Sequence, residues 1–132
     1  MLHMDTAELL VTAVDHPSLH GRLTVFLDEL RDELRSEGRM LGRGASMSRT
    51  PSGAVIEQLG AGKTMRLGVM HGRRLIAVAA VDNDGSVALA VLQAYRRRGV
   101  ANELMRVVTE RAAAIGYPPL HRFTAPSARL AG

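Results

Sequence analysis

Leu19, Leu23, Phe26, Leu27, Leu30 and Leu34 recur at three- and four-residue spacing, and Asp28, Glu29, Arg31, Asp32, Glu33 and Arg35 fill the positions between them. That is the period of an amphipathic helix with one buried face, and Gly38 marks its expected end. A Leu, Val and Thr run at residues 9–14 precedes it as a strand, with Asp15-His16-Pro17-Ser18 as the helix start. Residues 39–53 change abruptly to Gly, Ser, Arg and Met without any period. A loop, or at most a short helical turn, is expected there.

The second half reads mainly as strands. Residues 55–59 suit a strand, with a short helix as the open alternative, and residues 65–70, 75–81 and 87–92 suit strands outright. His71-Gly72 and Asp82-Asn83-Asp84-Gly85 separate the last three tightly enough for antiparallel hairpins, which gives a three-stranded meander. Residues 87–92 are apolar at every position, the pattern of a central strand covered on both faces, so helices must flank the sheet on both sides. Val100, Leu104, Val107, Val108, Ala112 and Ile115 supply the stripe of one such helix. Gly116 fits a left-handed cap and Pro118-Pro119 forbid continuation. Residues 120–124 suit one more short strand. The expected fold is a single α/β domain over residues 1–132, with a mixed, mainly antiparallel sheet flanked by helices.

Composition narrows the function classes. The chain has no cysteine, which excludes a disulfide framework, a thiolate zinc site and a cysteine nucleophile. No apolar run approaches the ~20 residues of a membrane helix. No basic cluster precedes the first apolar stretch, as one would in a signal peptide. A cytoplasmic protein with no membrane partner is expected. The net charge is +4, yet aromatic residues make up only 3% of the chain. A nucleic-acid partner is not expected, because it would call for a basic face interleaved with stacking aromatics. Arg96-Arg97-Arg98 is the one dense basic run, and it suits a di- or triphosphate better than a polymer backbone.

That run lies where an apolar strand meets a helix start, in Val91-Leu92-Gln93-Ala94-Tyr95-Arg96-Arg97-Arg98-Gly99-Val100-Ala101-Asn102. First-turn amides of a helix have no backbone partners, and the helix dipole adds about half a positive charge there. Gly99 lets the backbone approach an anion and Ala101 keeps bulk away. Arg96, Arg97 and Arg98 offer charge-assisted hydrogen bonds to phosphate. The competing reading is a surface patch without a ligand.

Arg96-Arg97-Arg98-Gly99-Val100-Ala101 resembles the Gln/Arg-x-x-Gly-x-Gly/Ala signature of the GNAT superfamily of N-acetyltransferases, with Tyr95 before it as an aromatic often stands in that family. The order of strand, helix, loop, meander, signature and capped helix resembles the first two-thirds of the GNAT fold, over about residues 9–124. The resemblance implies acetyl-CoA as acyl donor. Val91, Leu92 and Gln93 would pair with the pantetheine amides, and Arg96, Arg97, Arg98, Gly99, Val100, Ala101 and Asn102 would form the pyrophosphate loop. It implies transfer of an acetyl group to a primary amine by direct attack, usually assisted by a general base and a thiolate-protonating acid.

The following segment departs from the family pattern. The stretch Ala125-Pro126-Ser127-Ala128-Arg129 stands where the family carries Asn, then Ala, then a helix whose tyrosine commonly protonates the departing thiolate, and no tyrosine follows Tyr117. The expected GNAT-like fold therefore lacks the last helix and strands. A strand from a second copy would complete it, so a homodimer is one expectation. The alternative function is a catalytically deficient acyl-CoA-binding or regulatory domain. The catalytic residues are unassigned: Asp82 and Asp84 suit turn chemistry, Glu57 has the same standing, and His121 on a short strand reads first as structural.

Two motifs read as decoys. Gly60-Ala61-Gly62-Lys63-Thr64 looks like the end of a phosphate-binding P-loop, but Glu57 stands where its first glycine is needed and a strand follows, so a hairpin turn is expected. His16 and His20 have metal-ligand spacing without a glutamate between them or a third ligand, so no metal is expected. Met40, Met47, Met65 and Met70 read as packing residues.

Overall fold

The structure is a computed structural model, and it describes residues 9–14, 19–41, 53–60 and 65–122. Its centre is the expected meander: β2 (Met65–His71), β3 (Arg74–Val81) and β4 (Ser86–Val91), antiparallel throughout. β1 (Leu9–Ala13) adds antiparallel to β2, and β5 (His121–Arg122) adds parallel to β4. The five strands lie in chain order, β1-β2-β3-β4-β5. The sheet is therefore mixed and mainly antiparallel.

Every residue of β3 from Leu75 to Val81 is buried, which requires cover on both faces. α1 (His20–Leu41) and α2 (Gly53–Gly60) pack on each other and on β3, and α2 also reaches β4. α3 (Val100–Ala114) packs against β2, β3 and β4. The helical stripe of α1 delivers Leu23, Phe26, Leu27 and Leu30 to the core, and α3 delivers Val100, Leu104, Val108 and Ala112. Each large side chain buried in this way stabilises the fold by about 1.5–3 kcal/mol.

Three local expectations change. Residues 55–59 are helical, inside α2, and not a strand. Ile56 and Leu59 are buried, three apart, while Glu57 is exposed. A strand would need residues 55, 57 and 59 on one face, so helical spacing decides the matter. Second, α1 continues past Gly38 to Leu41. A glycine inside a helix costs only about 1 kcal/mol, and Arg39, Met40 and Leu41 are good helix formers. Third, Gly60 ends a helix, so the segment before β2 joins helix to strand and is not a hairpin turn. Residues 61–64, with Lys63 and Thr64, lie outside the described residues, as do His16, Met47 and residues 42–52.

Asp82 and Asp84 do turn chemistry. Asp82 accepts the Gly85 N–H through its carbonyl at 2.9 Å, and Asp84 Oδ1 accepts both the N–H and the hydroxyl of Ser86 at 2.8 Å. Gly85, at φ +92°, has the Pro119 carbonyl oxygen 2.6 Å from where a Cβ would stand, so the turn and the entry to β5 touch backbone to backbone. The Gly85 carbonyl then accepts the His121 N–H at 2.8 Å. Arg66, buried on β2, donates to the Leu59 carbonyl at 3.0 Å and so binds the C-terminal end of α2.

Candidate functional site

The end of β4 is organised by an alternation of backbone groups. Leu92 N–H donates to Ile76 O, and Asp82 N–H to Ser86 O, each at 2.9 Å. With the register that pairs Ala77 with Val91, the even-numbered residues of β4 face β3. The amides and carbonyls of Leu89 and Val91 therefore point to the opposite edge. β5 pairs there only with Ser86 and Val87, so among the described residues no strand covers Leu89 or Val91 on that edge.

Beyond β4 the chain makes a short 3-10 turn, Gln93–Tyr95, and then a loop with two left-handed residues, Arg97 at φ +66° and Gly99 at φ +80°. Left-handed residues let successive amides converge on one side, an arrangement that suits anions. α3 opens with Gly99 as N-cap and no side-chain cap, and its first helical bond runs from Glu103 N–H to Gly99 O. The amides of residues 97–102 donate to no protein oxygen among the described residues. A Cβ built on Gly99 meets nothing within 4 Å, so the space beside it is open.

The residues singled out from the sequence take different places in this geometry. Val91 is buried, its carbonyl accepting the Arg96 Nε–H at 3.0 Å. Leu92 is committed inside the protein, donating to Ile76 O and accepting from the Tyr95 N–H. Gln93 donates its amide to both carboxylate oxygens of Glu33, at 3.0 and 3.2 Å. Arg96 turns inward, with Nη2 at 3.4 Å from Glu33 Oε1. Arg97, Arg98 and Asn102 are exposed, Val100 is in the core, and Ala101 is half-buried at the first turn of α3. Leu89 and Glu33 carry parts of this arrangement that the sequence reading did not assign. The strand alternation could have indicated Leu89, but nothing in the sequence pairs Glu33 with a segment sixty residues away.

A second cluster braces the same turn. Tyr95 Oη lies 2.9 Å from His71 Nδ1, the two rings meeting edge to face, and the Arg74 guanidinium sits 5.8 Å from the Tyr95 ring centre. Arg74 donates to Glu29 Oε2 at 2.8 Å, and that bond holds its guanidinium pKa above the usual arginine value. Glu29 and Glu33 are four residues apart on α1, one turn of one face, and each holds an arginine from the sheet side. A cavity of about 370 Å³ beside this brace is lined by Gly21, Arg22, Val25, Glu29, Arg73, Arg74 and Leu75. His121, by contrast, is exposed at the start of β5 beside Ser86, about 17 Å along β4 from Val91. Among the described residues, no group of three or more His, Asp or Glu could hold a metal ion, and no helix is long and apolar enough to cross a membrane.

Neither a family model nor a curated protein sequence matches the chain. Solved structures do. An aminoglycoside acetyltransferase from an uncultured soil metagenomic sample is 19% identical, with a TM-score of 0.57 over 90% of this chain and 81% of that one. A GNAT family acetyltransferase from Brucella melitensis, in complex with acetyl-CoA, is 15% identical, with a TM-score of 0.55 over 94% of this chain and 81% of that one. The chain has the GNAT fold. A predicted acetyltransferase from Clostridium acetobutylicum, with acetyl-CoA, aligns likewise at 10% identity and a TM-score of 0.53, over 92% of this chain and 84% of that one. At these identities the likeness is one of architecture. The β4 edge that no described strand covers and the loop before α3 lie at one end of the sheet.

Proposed function

We propose that this GNAT-fold chain is an acetyl-CoA-dependent N-acetyltransferase that acts on a primary amine by direct attack. The observation that carries the reading is the run of amides at residues 97–102, unpartnered among the described residues, which lies one short turn beyond a strand whose outward Leu89 amide and carbonyl and outward Val91 amide no described strand covers, the Val91 carbonyl being taken by Arg96. One part offers donors to a pyrophosphate, and the other offers a peptide-like edge to the amides of a pantetheine arm. On this reading Val100, Ala101 and Asn102 contribute main-chain donors, Gly99 contributes open space, and exposed Arg97 and Arg98 contribute positive charge. Leu92 and Gln93 shape the strand end, since their amides are spoken for. Transfer of the acetyl group from the acetyl-CoA thioester to the amine forms one C–N bond and breaks the C–S bond, the amine losing one proton and the departing thiolate gaining one to leave as the coenzyme A thiol. β4 carries no carboxylate or imidazole, so the amine proton goes to another element or to water.

The test is calorimetric titration with acetyl-CoA, followed by a thiol-release assay over a panel of amines. The panel includes sisomicin, which is bound in the structure of one similar aminoglycoside acetyltransferase. Binding with turnover supports the reading. Binding without turnover over the panel favours an acyl-CoA-binding or regulatory domain, and no binding removes the proposed site.

A further inference from the structure

Of the three consecutive arginines, Arg96 is set apart by its direction. Its Nε donates to Val91 O at 3.0 Å and its Nη2 faces Glu33 Oε1 at 3.4 Å, with the side chains of both Arg96 and Glu33 only 21% exposed. The same Glu33 carboxylate accepts the Gln93 N–H with both oxygens. One carboxylate on α1 thus holds the first residue of the 3-10 turn and, through Arg96, the last residue of β4. These are the two ends of the segment that aims the chain into the amide-lined loop. Resting on the acyl-CoA reading above, we propose that Glu33 is a positioning residue for the cofactor loop, with Arg96 as its relay and not a phosphate ligand.

The physics makes this separable from a charge effect. Glu33 is an anion close to a site proposed for an anionic cofactor, so acting through space alone it would oppose binding, and its removal would tighten binding. Acting through position, its removal releases the Gln93 amide and the Arg96 guanidinium and lets the loop sample directions in which its amides diverge. Removal would then weaken binding by about tenfold, the size of one charge-assisted hydrogen bond. The sign of the effect decides.

The experiment compares coenzyme A dissociation constants for the unaltered protein, Glu33→Gln and Glu33→Ala, and measures amide hydrogen exchange on the ligand-free proteins. Weaker binding in the order unaltered, Glu33→Gln, Glu33→Ala is expected, because glutamine keeps one acceptor oxygen. It should come with faster exchange at Gln93 and unchanged exchange in the β3–β4 ladder. Unchanged or tighter binding by a folded Glu33→Ala or Glu33→Gln variant overturns the inference and leaves the acyl-CoA reading standing. Accelerated exchange throughout β3 and β4 also overturns it, by making Glu33 a general stabiliser. Failure of the unaltered protein to bind coenzyme A overturns both.

Discussion

Gly99 is the residue at which the proposed cofactor site can be broken with least damage to the fold. It adopts φ +80° at the N-cap of α3, and a Cβ placed there meets nothing within 4 Å. Gly99→Ala therefore costs only the left-handed backbone strain, about 1–2 kcal/mol, or about 3–8 °C in melting temperature. Gly99→Asp pays no more than that in strain, because aspartate tolerates the left-handed region better than alanine. What it adds is a negative charge among amides proposed to face a pyrophosphate. At about 5 Å and an effective dielectric of about 20, one pair of unit charges repels by about 3 kcal/mol, which salt screening reduces to about 2 kcal/mol, or about thirtyfold in affinity. Calorimetry with coenzyme A on the two folded variants separates the effects: alanine within a few-fold of the unaltered protein, aspartate at least tenfold weaker than alanine. A folded Gly99→Asp that binds coenzyme A as tightly as Gly99→Ala would show that no anion sits at this loop.

Other outcomes follow from the packing and the turn. Phe26 is fully buried between α1 and the sheet, so Phe26→Ala should lose about 3–5 kcal/mol in urea unfolding, a large share of the stability of a domain this size. Gly68 lies in β2 with Leu75 Cδ1 and Val14 Cγ2 at 2.6 and 2.8 Å from a built Cβ and the Ala77 carbonyl oxygen at 3.1 Å, so Gly68→Ala should destabilise by about 1–3 kcal/mol through overpacking, read from the same midpoints. Asp84 is held below the usual carboxylate pKa, chiefly by the Ser86 N–H and then by its hydroxyl. A lowered folded pKa gives stability that is present above the unfolded value near 3.9 and is lost as pH falls through the folded value. The stability gap between the unaltered protein and Asp84→Asn should therefore shrink between pH 6 and pH 2.5. A gap that holds constant over that range would count against the ionised turn.

Much of the fold was legible because its period is strong. The α1 stripe and the three meander strands each repeat one local rule over several residues, and the cap at Gly116, at φ +89°, is seconded by Pro118-Pro119. The misreadings fell where one residue, or a stretch too short to show a period, was asked to decide. Gly38 looked like a stop, but a glycine ends a helix only where the chain also turns left-handed, and here α1 runs on to Leu41. Residues 55–59 were too few to separate the periods until the exposure of Glu57 showed which face was absent.

The site divides along the same line. The loop was legible, because glycine and a small residue at a strand-to-helix junction follow from local conformation; the strand end was not, since Leu92 and Gln93, expected to pair with pantetheine, have their amides committed to Ile76 and Glu33. Nor was the side-chain part of the site. Arg96, Arg97 and Arg98 are identical in sequence, yet Arg96 points inward to Glu33 and Val91 while its two neighbours are exposed. What tells them apart is a carboxylate that α1 carries to the end of β4 only after the helix has packed on the sheet. Tyr95 is the same kind of case: its ring is placed by His71 and Arg74, both from the β2–β3 hairpin. If Glu33 positions this loop as proposed, Arg96 acts through the direction of the backbone amides, and substitution of Glu33 should alter cofactor affinity from a helix that supplies none of the loop's own residues.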